Sequence, residues 1–432
     1  MILGNRSGAI APVAGGSSLE RWLDKTADLA QLQAAHPMFD AVIEEQRGRM
    51  IRVGDQWLAD FASCNYLGFD LDREIIEAIP AYLDRWGTHP SWSRGLGSPR
   101  LYEDIEDQLT ALLGAKDTLV LPTITHIHMS VIPVLANAGT VFLDRRAHKT
   151  IYDGSIVARA HGATVRRFAH NDLCELESQL LASATGPRLI CLDGVNSMTG
   201  NAPDLHAFAQ LAGEHDALLY VDDAHGFGIV GERADDELCD YGKRGNSIVR
   251  HLDASYDNLV LVGGFSKAYS SLLAFLALPP ALKRVLKTAA PPYLYSGPSP
   301  TASLATVLEG MKMNERTGDQ LRLELHRMTR RVLDALDELD IHTPNTSGYP
   351  IIEIPLANAA DIDPIGRFLF DRGIYVTLAA YPIVPRDEVG FRIQVTAANT
   401  DEQISSLITT LHELPGRFEL GDPNAAVLGR AP

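Results

Sequence analysis

Residues 217–226 read ALLYVDDAHG and residues 258–267 read NLVLVGGFSK, and these two stretches decide the fold class. Each is a short apolar run that ends in polar residues, which is typical of a strand buried on both faces of a parallel sheet. Similar runs precede them along the chain: DTLVLP (117–122), GTVFLD (139–144), ATVRRFA (163–169) and RLICLDG (188–194). Because helical stretches separate these runs, the sequence predicts an α/β architecture around a mainly parallel sheet.

The pattern changes near Pro300, where a long helical segment (302–340) begins. Beyond it, the strand-like runs YPIIEIPL (349–356), IYVTLA (374–379) and FRIQVTA (391–397) and two helical runs predict a smaller α+β domain. We therefore divide the chain into an N-terminal segment (1–60), a large domain (61–300), a small C-terminal domain (301–415) and a tail (416–432). In the N-terminal segment we expect about 18 mobile residues, a helix over 19–46 and a hairpin around Gly54.

Composition excludes several classes of protein. The 432 residues include 55 acidic and 38 basic ones, a net charge of −17 that repels nucleic acid and anionic membranes. We find neither a secretory signal nor an apolar run of about 18 residues, so we expect a cytoplasmic protein without a membrane partner. The four cysteines form no CxxC pair, which predicts neither a disulfide framework nor a zinc ribbon.

Polar residues at two strand ends point to a specific chemistry. Asp222 and His225 follow one predicted strand, and Lys267 lies just beyond another. Ligands of open α/β sheets bind beyond the carboxyl ends of the strands. There, a lysine that forms a Schiff base and a carboxylate that keeps a pyridine nitrogen protonated suit a pyridoxal 5′-phosphate (PLP) site. Taken singly, each residue has an ordinary structural alternative, such as a helix cap or a solvated lysine.

The surrounding sequence resembles the α-oxoamine synthase family of fold-type I PLP enzymes from residue 38 to residue 414. The blocks that carry the resemblance include FASCNYLGFD (61–70), LYEDIEDQLTALLGA (101–115), DRRAHKTIYDG (144–154), DGVNSMTGNAPDL (193–205), YVDDAHGFGIVGE (220–232), GGFSKAYS (263–270), YLYSGPSPTAS (293–303) and FRIQVTAANT (391–400). The resemblance implies an α/β fold like that of aspartate aminotransferase. In that fold, a large domain has a mainly parallel seven-stranded sheet and a smaller α+β domain follows it.

The same resemblance implies the catalytic residues. Lys267 is the Schiff-base lysine and Asp222 is the partner of the pyridine nitrogen. His148 stacks on the ring face of the cofactor. His225 and Ser197 lie near its phenolic oxygen.

The resemblance also implies a phosphate site, a substrate site and a homodimer with a shared active site. Backbone N–H groups at a helix N-terminus bind the phosphate, as expected for an anion. The implied cofactor-binding residues are Thr123, Ile124, Thr125, Gly264 and Ser266, with Ser296 and Gly297 of the neighbouring subunit. Arg392 holds the α-carboxylate of the amino acid in a bidentate grip. Cys64, Asn65 and His126 complete the implied substrate site.

Several positions depart from the family pattern. Cys64 stands where an asparagine usually helps to hold the substrate carboxylate. Thr123, Ile124 and Thr125 replace a Ser-Gly-aromatic turn, and Gly264 stands where a threonine is usual. Ser271, Leu272 and Leu273 replace the small residues that usually follow the lysine, and Asn399 stands where a histidine is usual. The phosphate grip and the acyl-donor side have therefore changed together, which favours a role in specialised metabolism.

The reaction implied is a decarboxylative Claisen condensation. An amino acid and an acyl thioester, carried by coenzyme A or an acyl carrier protein, give an α-amino ketone in a biosynthetic acyl transfer. A second interpretation stays open: another PLP reaction through a substrate carbanion, such as aminotransfer, an aldol-type step or another C–C bond formation.

Two other motifs suggest rival functions. Residues 226–231, GFGIVG, form a GxGxxG that is also found in dinucleotide-binding proteins, although the polar residues before it and the sequence after it argue against that function. His126 and His128 form an HxH that, on a strand, suits a metal-dependent hydrolase. If this segment instead begins a helix, the two imidazoles point in nearly opposite directions. We expect no metal.

Overall fold

The computed structural model describes residues 33, 36–183, 186–234, 237, 239–381, 384 and 388–421. The predictions for the first 18 residues, for most of the helix over 19–46 and for the end of the tail lie outside these residues. Two sheets organise the described part of the chain, one of seven strands and one of six.

The seven-stranded sheet is the frame of the larger part of the molecule. Its strands are β4 (Thr118–Leu121), β5 (Thr140–Asp144), β6 (Thr164–Phe168), β7 (Arg188–Asp193), β8 (Leu218–Asp222), β9 (Leu259–Gly264) and β10 (Ala274–Ala277). They lie in the order β4, β10, β9, β8, β7, β5, β6. Strand β10 is antiparallel to both neighbours, and the pairs from β9 to β6 are parallel. The predicted mainly parallel seven-stranded sheet is confirmed.

Both faces of this sheet are buried except along the edge strand β6, where Thr164 and Arg167 are exposed. Leu219 and Val221 of β8 belong to one large cluster of buried apolar side chains, whereas Tyr220 between them belongs to a second cluster. Neighbouring side chains of a strand point to opposite faces, so the two clusters are the two covered sides of the sheet. This explains why the strands read as nearly continuous apolar runs.

Helices connect the strands and cover the sheet. They are α1 (Arg73–Trp86), α2 (Arg100–Leu113), α3 (Ile124–Ala136), α4 (Lys149–Ala160), α5 (Leu173–Leu181), α6 (Leu205–Glu214), α7 (Ile248–His251), α8 (Pro280–Ala289), α9 (Pro291–Leu294), α10 (Thr301–Glu338), α11 (Ile362–Asp371) and α12 (Asp401–His412). In the part of the chain that the structure describes, none of them is long and apolar enough to cross a bilayer.

The six-stranded sheet joins the two ends of the chain. Its strands are β1 (Ile43–Arg47), β2 (Met50–Val53), β3 (Gln56–Phe61), β11 (Ile351–Pro355), β12 (Ile374–Ala379) and β13 (Gly390–Gln394). Their order is β1, β2, β3, β12, β13, β11, and β3 pairs with β12 in parallel. The predicted boundary at Pro300 coincides with the start of α10, while the division into domains stays a prediction.

The N-terminal segment confirms one prediction and corrects another. Strands β2 and β3 form the predicted hairpin, whose turn places Gly54 at a φ of 58°. The predicted helix over 19–46 is wrong at its C-terminal end, because Ile43–Arg47 is a strand, whereas Gln33 within the predicted range is helical. Pairing with β2 overrides the helical tendency of this glutamate-rich segment, and Arg52 of β2 forms ion pairs with Glu44 and Glu45.

The GxGxxG motif does not form a dinucleotide-binding turn. Residues 224–229 follow β8 as consecutive turns, and no helix begins there. A Cβ atom on Gly226 would lie 2.0 Å from Oδ1 of Asp223, and one on Gly228 would lie 2.6 Å from Cβ of Ala268. The glycines therefore allow the chain to turn tightly after Asp222, and the helix N-terminus that a pyrophosphate needs is missing from this described segment.

Candidate active site

The carboxyl ends of three neighbouring strands bring the predicted catalytic residues together. Asp193 ends β7 and Asp222 ends β8, and the two residues are register partners in the parallel ladder. Lys267 follows the end of β9, in the turn that leads to β10. The parallel sheet thus places Lys267 and two buried carboxyl groups at one edge.

His128 is a site residue that the sequence analysis missed. It lies in the first turns of α3, fully buried, and its Nε2 is 2.9 Å from Oδ2 of Asp222. Its Nδ1 is 2.8 Å from the hydroxyl of Tyr220. The imidazole thereby fixes the orientation of the Asp222 carboxylate. The available signal was a histidine at the start of the largely apolar run HMSVIPVLA, which the HxH interpretation treated only as half of a metal pair.

Asp222 carries the negative charge of the site. Burial raises the pKa of its carboxyl, but His128, Lys267 and His148 outweigh burial and hold it below its usual range. The neighbouring Asp193 behaves in the opposite way, because burial and the charge of Asp222 raise its pKa well above the usual value. The pKa values of the two carboxyl groups are therefore shifted in opposite directions, the arrangement expected of two acids that share a buried site.

His225 is held as a neutral imidazole. It is buried, and its Nδ1 is 2.8 Å from the hydroxyl of Tyr66. Burial, followed by the charges of Lys267, Arg392 and His148, lowers its pKa well below the ordinary value. A neutral imidazole held at one nitrogen leaves the other free to exchange a hydrogen bond with a ligand.

Lys267 has the properties of a nucleophilic amine. Burial lowers the pKa of its ammonium group, and Arg392 acts in the same direction. Asp222, Cys64 and Asp193 oppose this shift, which shows that these groups lie within electrostatic reach of the amine. A lowered pKa raises the fraction of free amine, as a lysine that forms a Schiff base requires.

The N-terminus of α3 provides an anion site where the phosphate turn was predicted. Thr123 is the N-cap, and its side chain accepts a hydrogen bond from the His126 N–H at 3.2 Å. The N–H groups of Ile124 and Thr125 have no acceptor among the described residues. Free N–H groups at the positive end of a helix dipole suit a phosphate.

Gly264 explains why two departures from the family pattern occur together. A Cβ atom at Gly264 would lie 2.5 Å from Cδ1 of Ile124, so a threonine at 264 would collide with the isoleucine in the phosphate turn. The Oγ of Ser266 lies 3.6 Å from the same point, so its hydroxyl is near the turn. The turn at residues 123–125 and Ser266 therefore still fit a phosphate. The side chain of Ile124 occupies the space that the absence of a side chain at Gly264 leaves open.

Arg392 reaches across from the six-stranded sheet to the large sheet. Its Nη1 donates a hydrogen bond to the backbone oxygen of Ser197, in the loop after β7. Its Nε is buried without a hydrogen-bond partner among the described residues. The guanidinium of Arg392 thus keeps donor capacity for a ligand in the site.

His148 caps α4, donates its backbone N–H to Asp193 at 3.0 Å and presents its ring to solvent.

Three of the remaining predicted residues belong to the implied substrate site, and the other two belong to the implied contact with a neighbouring subunit. Cys64 lies at the site, where Nε2 of Gln394 donates a hydrogen bond to its sulfur at 2.7 Å. Asn65 follows it, and its backbone oxygen accepts a hydrogen bond from Arg49. His126 is exposed in the first turn of α3.

Ser296 and Gly297 lie in the loop between α9 and α10, and a Cβ on Gly297 would be 3.3 Å from Nε2 of His89. Their predicted approach to a neighbouring subunit stays a prediction.

The HxH motif does not form a metal pair. His126 and His128 are two residues apart on α3, so one imidazole faces solvent while the other is buried against Asp222. No group of three or more His, Cys, Asp or Glu side chains within the described ranges is arranged to hold a metal ion.

These features define a class of protein: a fold-type I enzyme whose cofactor is pyridoxal 5′-phosphate. The chain belongs to the aminotransferase class I and II family, whose profile matches residues 58–411. An 8-amino-7-oxononanoate synthase of Pseudomonas putida strain KT2440 is 31% identical over 403 residues, which are 92% of this chain and 99% of that protein. An 8-amino-7-oxononanoate synthase of Dechloromonas aromatica is 31% identical over 377 residues, 86% and 94% of the two chains.

Solved structures show the same fold. A serine palmitoyltransferase from S. paucimobilis with a bound PLP–myriocin aldimine has a TM-score of 0.83 at 22% identity, covering 92% of this chain and 98% of that one. An 8-amino-7-oxononanoate synthase from Francisella tularensis has a TM-score of 0.68 at 22% identity, covering 82% and 97%. The resemblance to the α-oxoamine synthase family is confirmed by these relatives.

Glu353 makes the stability of the protein depend on pH. It is buried opposite Arg392 in the β11–β13 ladder, and burial raises its pKa from 4.5 to about 7, with Arg146, Glu388 and Arg392 as its charged neighbours. The unfolded chain loses this proton near pH 4.5 while the folded chain keeps it, so the contribution of Glu353 to stability is lost as pH rises towards 7.

Glu353→Gln is therefore expected to stabilise the protein relative to wild type increasingly between pH 4.5 and about 7, by up to about 3 kcal/mol. Thermal or urea unfolding of both proteins across this range measures the difference. A stability difference that does not change with pH would contradict the assigned titration.

Proposed function

We propose that this protein catalyses the decarboxylative condensation of an amino acid with an acyl thioester to give an α-amino ketone, as a PLP-dependent acyltransferase. The observation that carries the proposal is the buried Asp222 carboxylate, oriented by His128 and facing the low-pKa lysine Lys267. The family and the relatives named above support the same reaction.

The residues described above would hold the cofactor. Lys267 would bind it covalently, Asp222 would face its pyridine nitrogen, and the N–H groups of Ile124 and Thr125 would bind its phosphate with the Ser266 hydroxyl. When bound, PLP supplies an electron sink for the negative charge that develops at the substrate Cα. Asp222 keeps that sink effective because an ionised carboxylate stabilises a protonated ring nitrogen.

The protein side chains bind the substrate and move its proton. Arg392 holds the α-carboxylate through the donors that its contact with Ser197 leaves free. Lys267 is the base that takes the Cα proton, a role that its lowered pKa favours. His148 covers the site from the β5–α4 loop, where it limits the access of water.

The proposal extends to the assembly and the setting of the enzyme. We place Ser296 and Gly297 at the active site of the partner subunit in a homodimer, and we place the enzyme in the cytoplasm. Support for the cytoplasm comes from the four cysteines, which are all free thiols, two of them buried. The acyl group arrives on coenzyme A or on an acyl carrier protein.

The test uses the PLP-loaded protein with each proteinogenic amino acid and a series of acyl-coenzyme A thioesters. Release of CO2 and of free thiol in equal amounts, only when both substrates are present, is the expected result. Exchange of the substrate Cα hydrogen without any thiol release would replace this proposal with another PLP reaction through a carbanion. If no amino acid exchanged its Cα hydrogen, both the condensation and the alternative PLP reaction through a carbanion would be overturned.

Arg392→Ala is expected to weaken amino-acid binding about tenfold to a hundredfold, because a charge-assisted hydrogen bond to the carboxylate is lost. The KM for the acyl thioester should stay near its wild-type value. Arg392→Lys keeps the charge without the bidentate geometry and should fall between wild type and alanine. A main effect on the acyl thioester instead would mean that Arg392 belongs to the other substrate.

A further inference from the structure

A buried acid lies beside the arginine that would hold the substrate carboxylate. Glu353 of β11 and Arg392 of β13 are partners in an antiparallel ladder. Such partners carry their Cβ atoms about 5 Å apart on the same face of the sheet. That face is turned to the carboxyl ends of the large sheet, because the Arg392 guanidinium reaches the backbone oxygen of Ser197 there. The neighbours of Glu353 on the opposite face, Ile352 and Ile354, are completely buried in the apolar core. Glu353 therefore lies on the substrate side of the six-stranded sheet.

Neither member of this pair has all its hydrogen bonds. The Nε of Arg392 is buried without a partner among the described residues. Thr377, the neighbour of Arg392 on β12, is bonded elsewhere, since its hydroxyl donates to Oε1 of Gln394 at 3.1 Å. Within the described chain, the carboxyl of Glu353 accepts no hydrogen bond, although the residue is only 6% exposed. An arginine N–H without an acceptor and a carboxyl without a donor thus lie side by side.

Three described elements place charged groups around Glu353. Burial is the largest influence on its pKa and raises it to about 7, followed by Arg146 of the β5–α4 loop, Glu388 before β13 and Arg392. The acid therefore ionises close to neutral pH. Arg146 is already paired with Glu388, whose Oε1 lies 2.9 Å from its Nη2, whereas Arg392 has an N–H without an acceptor. An ionised Glu353 therefore has a donor to gain at Arg392.

We propose that Glu353 is a positioning residue of the amino-acid site, whose carboxylate, once ionised, pairs with Arg392 and competes with the α-carboxylate of the substrate. In its neutral form, Glu353 leaves the donors of Arg392 to the ligand. An arginine presents its donors in a rigid fork that matches one carboxylate, so a carboxylate of the protein at that fork weakens the hold on a second one. The affinity for the amino acid is therefore expected to fall as pH rises through the titration of Glu353.

This inference rests on the proposed function, and its first test compares the PLP-loaded wild type with Glu353→Gln. Calorimetry without any acyl thioester measures the Kd of the proteinogenic amino acids at about pH 6 and about pH 8.5. The two proteins should bind alike at the lower pH, where both side chains are uncharged. At the higher pH, the wild-type Kd should be about tenfold above that of the variant, as expected for competition at one charge-assisted hydrogen bond. Glu103→Gln, a control on the exposed surface of α2, should match the wild type at both pH values.

The second test counts the protons that accompany binding. If the substrate carboxylate and an ionised Glu353 compete for Arg392, linkage requires that a bound amino acid favours the neutral form of Glu353. Near pH 7, the wild type should therefore take up as much as about half a proton more per bound amino acid than Glu353→Gln does. Calorimetry in two buffers of different ionisation enthalpy measures this difference, and proton changes at the substrate amine and at Lys267 are common to both proteins.

Each outcome separates this inference from the proposed function. A ratio of the two Kd values that stays constant between the two pH values would overturn the inference and leave the proposed function intact. Equal proton uptake by the two proteins would do the same. Weaker binding by Glu353→Gln at both pH values would give Glu353 a structural role and refute the competition. If no amino acid binds the wild type at either pH, the proposed function itself fails.

Discussion

Lys267→Ala is expected to abolish turnover and the covalent attachment of PLP together. Lys267 is both the amine that would bind the cofactor and the base that takes the Cα proton, and its charge acts on the pKa of Asp222. Loss of a general base alone costs about a hundredfold to ten-thousandfold in rate, and loss of the nucleophile adds to this. Borohydride reduction followed by mass spectrometry measures the attachment, and release of free thiol measures turnover.

Lys116→Ala is the matched control for this substitution. Lys116 is exposed before β4 and pairs with Asp257, away from the strand ends that form the site. The control variant should keep both the cofactor adduct and the activity. Near wild-type activity in Lys267→Ala, or a cofactor adduct on a different lysine, would refute the assignment of Lys267.

Asp222→Ala is expected to slow exchange of the substrate Cα hydrogen by about a hundredfold or more, because the preorganised charge opposite the ring nitrogen is lost. The covalent attachment to Lys267 should remain, since the lysine does not depend on this carboxylate for its position. Loss of the carboxylate also leaves Nε2 of His128 buried without its partner, which costs about 1 to 3 kcal/mol of stability. Hydrogen exchange in deuterated buffer, followed by NMR of the amino acid, measures the effect.

Asp223→Asn provides the control for a buried acid at the same strand end. Burial raises the pKa of Asp223 well above its usual range, which favours the uncharged carboxyl, and asparagine is an uncharged substitute of the same shape. One of its oxygens accepts the backbone N–H of Ile248, a structural contact. This variant should exchange the Cα hydrogen at close to the wild-type rate. Unimpaired exchange in Asp222→Ala would mean that a different residue faces the ring nitrogen.

Much of the fold was predictable because its strands are buried on both faces. The six short strand-like runs became six strands of the large sheet, and Asp222 ended its strand as predicted. Strand β10 was not predicted, since its four residues, AFLA, are too short to show a period. The segment Ile43–Arg47 was predicted as helix because its strand identity depends on pairing with β2 rather than on its own sequence.

The candidate site was predictable in its principal residues and not in its supporting ones. Asp222 and Lys267 stand out because a charged residue directly after a buried strand is a local signal. His128 and Gln394 lack such a signal, since neither directly follows a predicted strand and the partner of each is distant in sequence. The sequence separation is 94 residues for the first contact and 330 for the second.

The sequence by itself determined the alternation of strands and helices, the family, and the lysine and carboxylate that the cofactor requires, because each is written in local pattern or spacing. Only the tertiary structure decided which imidazole holds Asp222, why Gly264 and Ile124 occur together, and how Thr377 and Gln394 reach Cys64. These relations depend on the register of strands and on contacts between side chains across the two sheets. Periodicity along a chain contains no information about such distances, and the packed fold is what sets them.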